Sequence, residues 1–240
     1  MQDKINTQDS QRAYVRVIDY IKQEIRVGNL TIGSRLPPER TLAEHLNVGR
    51  NSVREALRIL EIMGIVTSTQ GAGHFIAGNF ESSLVETMSI MFLLNKLSFQ
   101  QVSQLRYALE KQAYALAAQN ISADELQELQ SIISRLDMGV SEEENVLLDK
   151  RLHYTIARAS DNILIVEILN ALSDVMDRFI ADLRMDIMSE ENRRDKLFAA
   201  HRRMVECIVS KDLSGGYAAV DEHFALVNER LNVRSQSVQF

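Results

Sequence analysis

The sequence predicts a mainly α-helical protein in two parts: a small unit of three helices and a β-hairpin, then an all-α bundle of about seven helices. Three observations carry this. Residues 14–64 hold three short apolar-periodic segments, with a tight turn between the second and third. Two β-prone pieces follow on either side of "QGAG". Everything after residue 78 is helix-periodic, and the 240 residues hold only two prolines and ten glycines.

The first helix is read from Tyr14, Ile18, Ile21 and Ile25, which fall on one face and end at Gly28. Pro37 and Pro38 suit the entry of a second helix, with Glu39 favourable in its first turn. "NVG" (Asn47 to Gly49) has turn chemistry. The third helix buries Val53, Leu57 and Leu60 and closes at Gly64. Ile65–Thr69 and His74–Ala77 then form the hairpin. Three short helices, a tight turn and a hairpin make a winged helix-turn-helix over residues 1–78. In residues 79–240, apolar periodicity predicts helices near 82–95, 98–119, 122–137, 142–160, 163–188, 191–210 and 213–232. Ser122, Ser141 and Asp212 stand as caps.

Composition excludes several classes. A single cysteine, Cys207, rules out an internal disulfide and a cysteine zinc cluster. The polar start "MQDKINTQDSQRAY" has no apolar signal core, and no run approaches the ~18 apolar residues of a membrane span. A cytoplasmic protein with no membrane partner is therefore expected. The net charge of −6 is unevenly placed: residues 1–78 carry ten Lys/Arg against eight Asp/Glu, and the rest carry seventeen against twenty-five. Different partners for the two parts follow from that asymmetry.

"NVGRNSVREALRIL" sets Arg50, Arg54 and Arg58 four residues apart in this acidic chain. A solvated helix face explains such a run in isolation. In a helix-turn-helix it has another use, because the start of the second helix of the motif faces base edges in the major groove. Arg50, Asn51, Ser52 and Arg54 occupy that start. Arginine grips guanine O6 and N7, or phosphate, and asparagine and serine suit either role. Arg35 and Arg40 are placed to clamp the flanking backbone, and Gln70 and Gly71 sit at the wing tip.

The segment "LPPERTLAEHLNVGRNSVREALRILEIMGIV" (Leu36–Val66) resembles the DNA-binding motif of GntR-type bacterial transcription regulators. The helical remainder is similar to the larger, metal-binding form of the ligand-binding (FCD) domain in the FadR branch. The resemblance implies DNA contacts from Arg40, Arg50 and Arg54, and a wing tip at Gln70 and Gly71 near the minor groove.

The acidic part holds three histidines, His153, His201 and His223, each on the apolar side of a predicted helix. Asp149 precedes His153 by four residues and shares its face. A core histidine taken alone is commonly just hydrogen-bonded. An inward aspartate, however, needs a partner. The four together form an oxygen and nitrogen donor set suited to a divalent ion: zinc first, with nickel, manganese or iron as alternatives. The resemblance implies that these four residues are the metal ligands. Arg106 shares a face with Val102, Ala113 and Ala117, and its plain role is an i,i+4 pair with Glu110. The resemblance implies that it holds an effector carboxylate beside the metal, and a bidentate fork would suit a small carboxylic acid.

The expected function is sequence-specific regulation of transcription, as a repressor, by a homodimer on a palindromic operator in double-stranded DNA. A small carboxylic acid at the metal site controls the affinity. One alternative makes the metal itself the signal. Another is a metal-dependent hydrolase, against which stand the unexplained winged helix and the lack of a glutamate between the metal-binding histidines.

Overall fold

The computed structural model describes the backbone of residues 2–189 and 191–237, and the side chains of residues 13–141, 143–177 and 195–229. The chain divides into two compact units, Met1–Leu84 and Val85–Phe240.

The first unit contains α1 (Gln2–Arg26), α2 (Glu39–Leu46), α3 (Arg50–Ile62), β1 (Val66–Thr69) and β2 (Gly73–Ile76). The first helix starts well before Tyr14, because helix-tolerant polar residues extend it without adding to the apolar face. That face is also shifted: Val17 is buried with Ile18 and Ile21, while Ile25 is exposed. The turn between α2 and α3 depends on Asn47, in the left-handed region at φ 49°, and Val48 N–H donates to the Ala43 carbonyl at 3.0 Å. Asparagine tolerates that conformation better than most residues. Strands β1 and β2 pair antiparallel with Val66 opposite Ile76 and Ser68 opposite His74. The free edge of β2 is also used. Gly33 N–H donates to the Ile76 carbonyl, Ile76 N–H to the Ser34 carbonyl and Leu36 N–H to the His74 carbonyl, at 2.8–2.9 Å. "IGSR" has no β pattern, so this third edge was not legible locally. The core joins Val17, Ile21, Leu42, Val53, Leu57, Leu60, Val66 and Ile76.

In the second unit and the stretch leading into it lie α4 (Glu81–Asn95), α5 (Phe99–Asn120), α6 (Ala123–Asp137), α7 (Glu142–Ala159), α8 (Ile163–Ser189), α9 (Glu191–Ser210) and α10 (Leu213–Ser237). These seven helices follow the predicted segments to within a few residues, except that α10 runs on to Ser237. Their starts are chemically marked. Ser98 and Ser122 each close a capping box with the residue three positions on, Ser141 caps through Glu144 N–H, and the Asp212 carboxylate accepts from Gly215 N–H at 2.9 Å. Helix α5 packs on α7, α8 and α10, and α9 packs on α6, α8 and α10.

Two apolar clusters fill this bundle. One is built around Tyr114, Leu129, Leu152, Ile156, Met204 and Phe224. The other is built around Val102, Ala113, Val166, Leu169, Leu172 and Leu197. Gly216 lets α10 close on α5: a Cβ there would lie 2.2 Å from the Tyr114 hydroxyl, which itself donates to the Met204 carbonyl at 2.7 Å. Among the described residues, no helix is long and apolar enough to cross a membrane.

Candidate functional site

Two groups of polar side chains stand out, one in each unit. In the first unit, α3 starts at Arg50 from the extended Gly49, which sets Arg50, Asn51 and Arg54 in solvent near its beginning, with Arg58 exposed one turn further on. Ser52 is different: it is buried beside Val53, because its position falls on the inward stripe that includes Ala56 and Leu60. Arg35 and Arg40 are exposed, as are Gln70 and Gly71 in the wing loop, where Gly71 adopts φ 77°.

These arginines are not all loose. Arg54 Nε donates to Glu39 Oε2 at 2.7 Å, and Arg40 Nε donates to Glu44 Oε1 at 2.8 Å. His74 on β2 links the wing to the same place, with Nδ1 2.8 Å from Ser68 Oγ and Nε2 4.0 Å from Glu39 Oε1. Glu39 therefore faces both the third helix and the wing, a role that the sequence reading did not assign. The whole exposed set can grip phosphates and base edges.

In the second unit the three histidines converge from α7, α9 and α10. Ring centroids are 5.2 Å apart for His153 and His201, 4.7 Å for His153 and His223, and 4.8 Å for His201 and His223. One nitrogen from each lies within 4.8 Å of the others. Asp149 joins them from one turn before His153: its Oδ1 is 3.4 Å from His201 Nε2 and 3.7 Å from His153 Nε2. The helices achieve this because each histidine sits in an apolar stripe, His201 between Leu197 and Met204, and His223 beside Val220 and Phe224.

The electrostatics leave two of these rings, His201 and His223, ready to donate lone pairs. Burial, with a smaller contribution from His153, pushes His201 down to about 4 against the opposing pull of Asp149. Burial likewise holds His223 well below the usual histidine range, helped by His153 and His201. Buried polar atoms normally find partners. Here, among the described residues, His153 Nε2, both nitrogens of His201 and Nδ1 of His223 have no hydrogen-bond partner. Two imidazoles held neutral by burial, with His153 and an aspartate beside them, are a donor set that fits a divalent ion.

Beside this cluster lies a cavity of about 40 Å³, lined among others by Arg106, Glu110, Lys150, His153, Asn170 and Ser173. Arg106 pairs with Glu110 as the i,i+4 reading expects, at 2.6 Å, but the pair is buried rather than exposed. Burial alone would raise Glu110, yet Arg106 and then His153 outweigh it and hold the carboxyl far below the usual range. Glu110, Lys150, Asn170 and Ser173 were not singled out as lining residues from the sequence. Only the place of Glu110 next to the inward face of α5 was a signal.

The comparisons with known proteins agree with both halves. Residues 13–76 match the gntR family of bacterial regulatory proteins, and residues 101–226 match the FCD domain. The chain belongs to the GntR family, with an FCD-type effector domain. The regulatory protein named for the L-lactate dehydrogenase operon of Escherichia coli is 27% identical over 218 residues, covering 88% of this chain and 83% of that protein. The HTH-type transcriptional regulator LutR of Bacillus subtilis is 27% identical over 212 residues, covering 87% and 96%. The solved structure of Streptococcus agalactiae GntR superposes with a TM-score of 0.68 at 25% identity, covering 90% of this chain and 99% of that one. The regulator thus binds DNA through its winged helix and carries a separate helical effector domain, in a family that regulates rather than catalyses.

Proposed function

We propose that the regulator is a homodimeric repressor of the FadR branch, acting in the cytoplasm on a palindromic operator, whose affinity for DNA is set by a small carboxylic acid bound at a divalent metal. The observation that carries the proposal is the convergence of His153, His201 and His223, with buried imidazole nitrogens that make no hydrogen bond among the described residues, next to a cavity lined by Arg106. Asp149, His153, His201 and His223 would hold the ion, with zinc the first choice. When bound, the ion supplies positive charge and Lewis acidity for an oxygen of the acid. Arg106 contributes a guanidinium that recognises the carboxylate. The cavity is small, about 40 Å³, which favours a compact acid over a long acyl chain. The name of one relative, an operon regulator for an L-lactate dehydrogenase, points to the same class of molecule.

Residues 1–78 are assigned to DNA. Arg50, Asn51 and Arg54 read the major groove, Arg35 and Arg40 grip the backbone, and Gln70 and Gly71 approach the minor groove. Ser52 stands behind this set, with its side chain buried and its N–H donating to the Gly49 carbonyl at 3.0 Å. Residues 79–240 sense the acid and dimerise. Two reading heads on one palindrome add affinity through effective concentration. The acid acts by preferring one of two dimer geometries, and about 1–3 kcal/mol of coupling changes operator affinity about 5–150-fold.

The test combines native mass spectrometry of the purified protein with titration of operator affinity by small carboxylic acids, before and after metal removal. One divalent ion per chain, and an acid response lost with the ion, is the expected result. A metal-free protein that keeps its full response would overturn the metal-linked mechanism. Arg106→Lys keeps a charge beside Glu110 but has no second arm left for the acid, so it should retain metal and lose acid affinity.

A further inference from the structure

Glu110 is held from two sides. Its Oε1 accepts from Arg106 Nε at 2.8 Å and lies 2.6 Å from Nη2. Its Oε2 lies 2.7 Å from His153 Nδ1, an ion-pair distance, with the ring N–H not aligned on it for a hydrogen bond. The residue is only 6% exposed, so neither contact is diluted by water. The remaining arm of Arg106, Nη1, meets Met176 Sδ at 3.4 Å. A thioether is a weak acceptor for a guanidinium N–H.

We infer that Glu110 is the positioning residue that joins the metal half of the site to the anion half; this rests on the metal-linked acid binding proposed above. A carboxylate oxygen 2.7 Å from Nδ1 repels a lone pair on that nitrogen, which favours the His153 proton there. The lone pair is then on Nε2, the nitrogen that faces Asp149 and makes no hydrogen bond among the described residues. An outer carboxylate of this kind orients a ligating imidazole and makes it more basic. The other oxygen of Glu110 occupies Nε and Nη2 of Arg106, leaving Nη1 as the arm for an incoming acid. The acid is therefore gripped by one guanidinium arm together with the ion, and not by the bidentate fork that the sequence suggests. One side chain on α5 so sets both the tautomer of a ligand on α7 and the free arm of the anion-binding arginine.

The experiment uses full-length protein, Zn²⁺ alone as the probe, and ¹⁵N-histidine NMR. In metal-free wild type, His153 is expected with its proton on Nδ1 and its lone pair on Nε2. The amide introduced by Glu110→Gln has a single carbonyl oxygen and cannot accept from both His153 and Arg106 as the two carboxylate oxygens do. Glu110→Gln should therefore weaken Zn²⁺ binding about 10–100-fold in chelator competition. The tautomer is read on wild type, so a poorly folded variant does not remove the test. Protonation of His153 on Nε2 in the wild type would overturn the inference, as would Zn²⁺ affinity in folded Glu110→Gln within twofold of wild type. Failure of wild type to take up Zn²⁺ would overturn the metal reading itself, and the tautomer measurement separates that result from a failure of Glu110 to position His153.

Discussion

The two units handle charge in opposite ways. In the winged-helix unit, Arg50, Arg54 and Arg40 stand in solvent, and the Arg40–Glu44 pair leaves both side chains mostly exposed, at 75% and 65%. In the helical unit, Arg106 and Glu110 retain only 11% and 8% of their side-chain exposure, and three histidines and Asp149 are packed beside them. Exposed pairs contribute about 0–1 kcal/mol, so the arginines of the first unit add little to folding and remain available for a polyanion. Buried charges are strongly penalised when left without a partner. The difference teaches that the first unit presents its chemistry outward to a macromolecule, whereas the second encloses its chemistry around something small.

The contrast is most exposed to test by truncating one arginine in each unit. Arg106→Ala should destabilise the protein by about 3–5 kcal/mol, because it strands the Glu110 carboxylate in the core. Arg50→Ala should stay within about 0.5 kcal/mol of wild type. Urea denaturation compares them, and equal effects would break the distinction. For the same reason Arg106→Ala is a poor probe of acid binding.

DNA affinity supplies the reverse comparison. Arg50→Ala and Arg54→Ala should each lose about 1–3 kcal/mol of operator discrimination, read by fluorescence anisotropy at fixed salt. Arg54 has the additional feature that Glu39 already orients it, at 2.7 Å. Unchanged affinity in both variants would remove α3 from the reading role.

Packing should separate the units less sharply. Gly216→Ala forces a methyl group into the Tyr114 ring, and overpacking of this kind costs about 1–3 kcal/mol. In the first unit Gly64 is equally confined: it has φ 73°, and a Cβ would lie 1.8 Å from the Asn79 carbonyl oxygen. Gly64→Ala should therefore lower the melting temperature as well, and a neutral result at either position would show that the close approach relaxes. The smallest effect is expected at a helix end. Ser122→Ala removes the capping box of α6, for about 1 kcal/mol, and calorimetry should resolve it.

Much of this protein was legible in its sequence because its elements are locally encoded. Asn47 marks the turn before α3, serines mark the starts of α6 and α7, and the apolar period marks the inner faces of both units. The three histidines and Asp149 could be nominated for the same reason, since each lies in an apolar stripe that can only face a core. What required the tertiary structure was everything that depends on which faces meet. The pairing of residues 33–36 with the edge of β2 has no local signal, because an edge is defined by its partner. The burial of Ser52 and the exposure of Ile25 turn on where a stripe ends, and one residue decides that. Glu110 shows the limit most clearly. Spacing along α5 places it one turn from Arg106 on any helix, exposed or buried. Only the packing of α5 against α7 brings its second oxygen to His153, and a contact between residues forty-three positions apart in sequence exists only once the helices have docked.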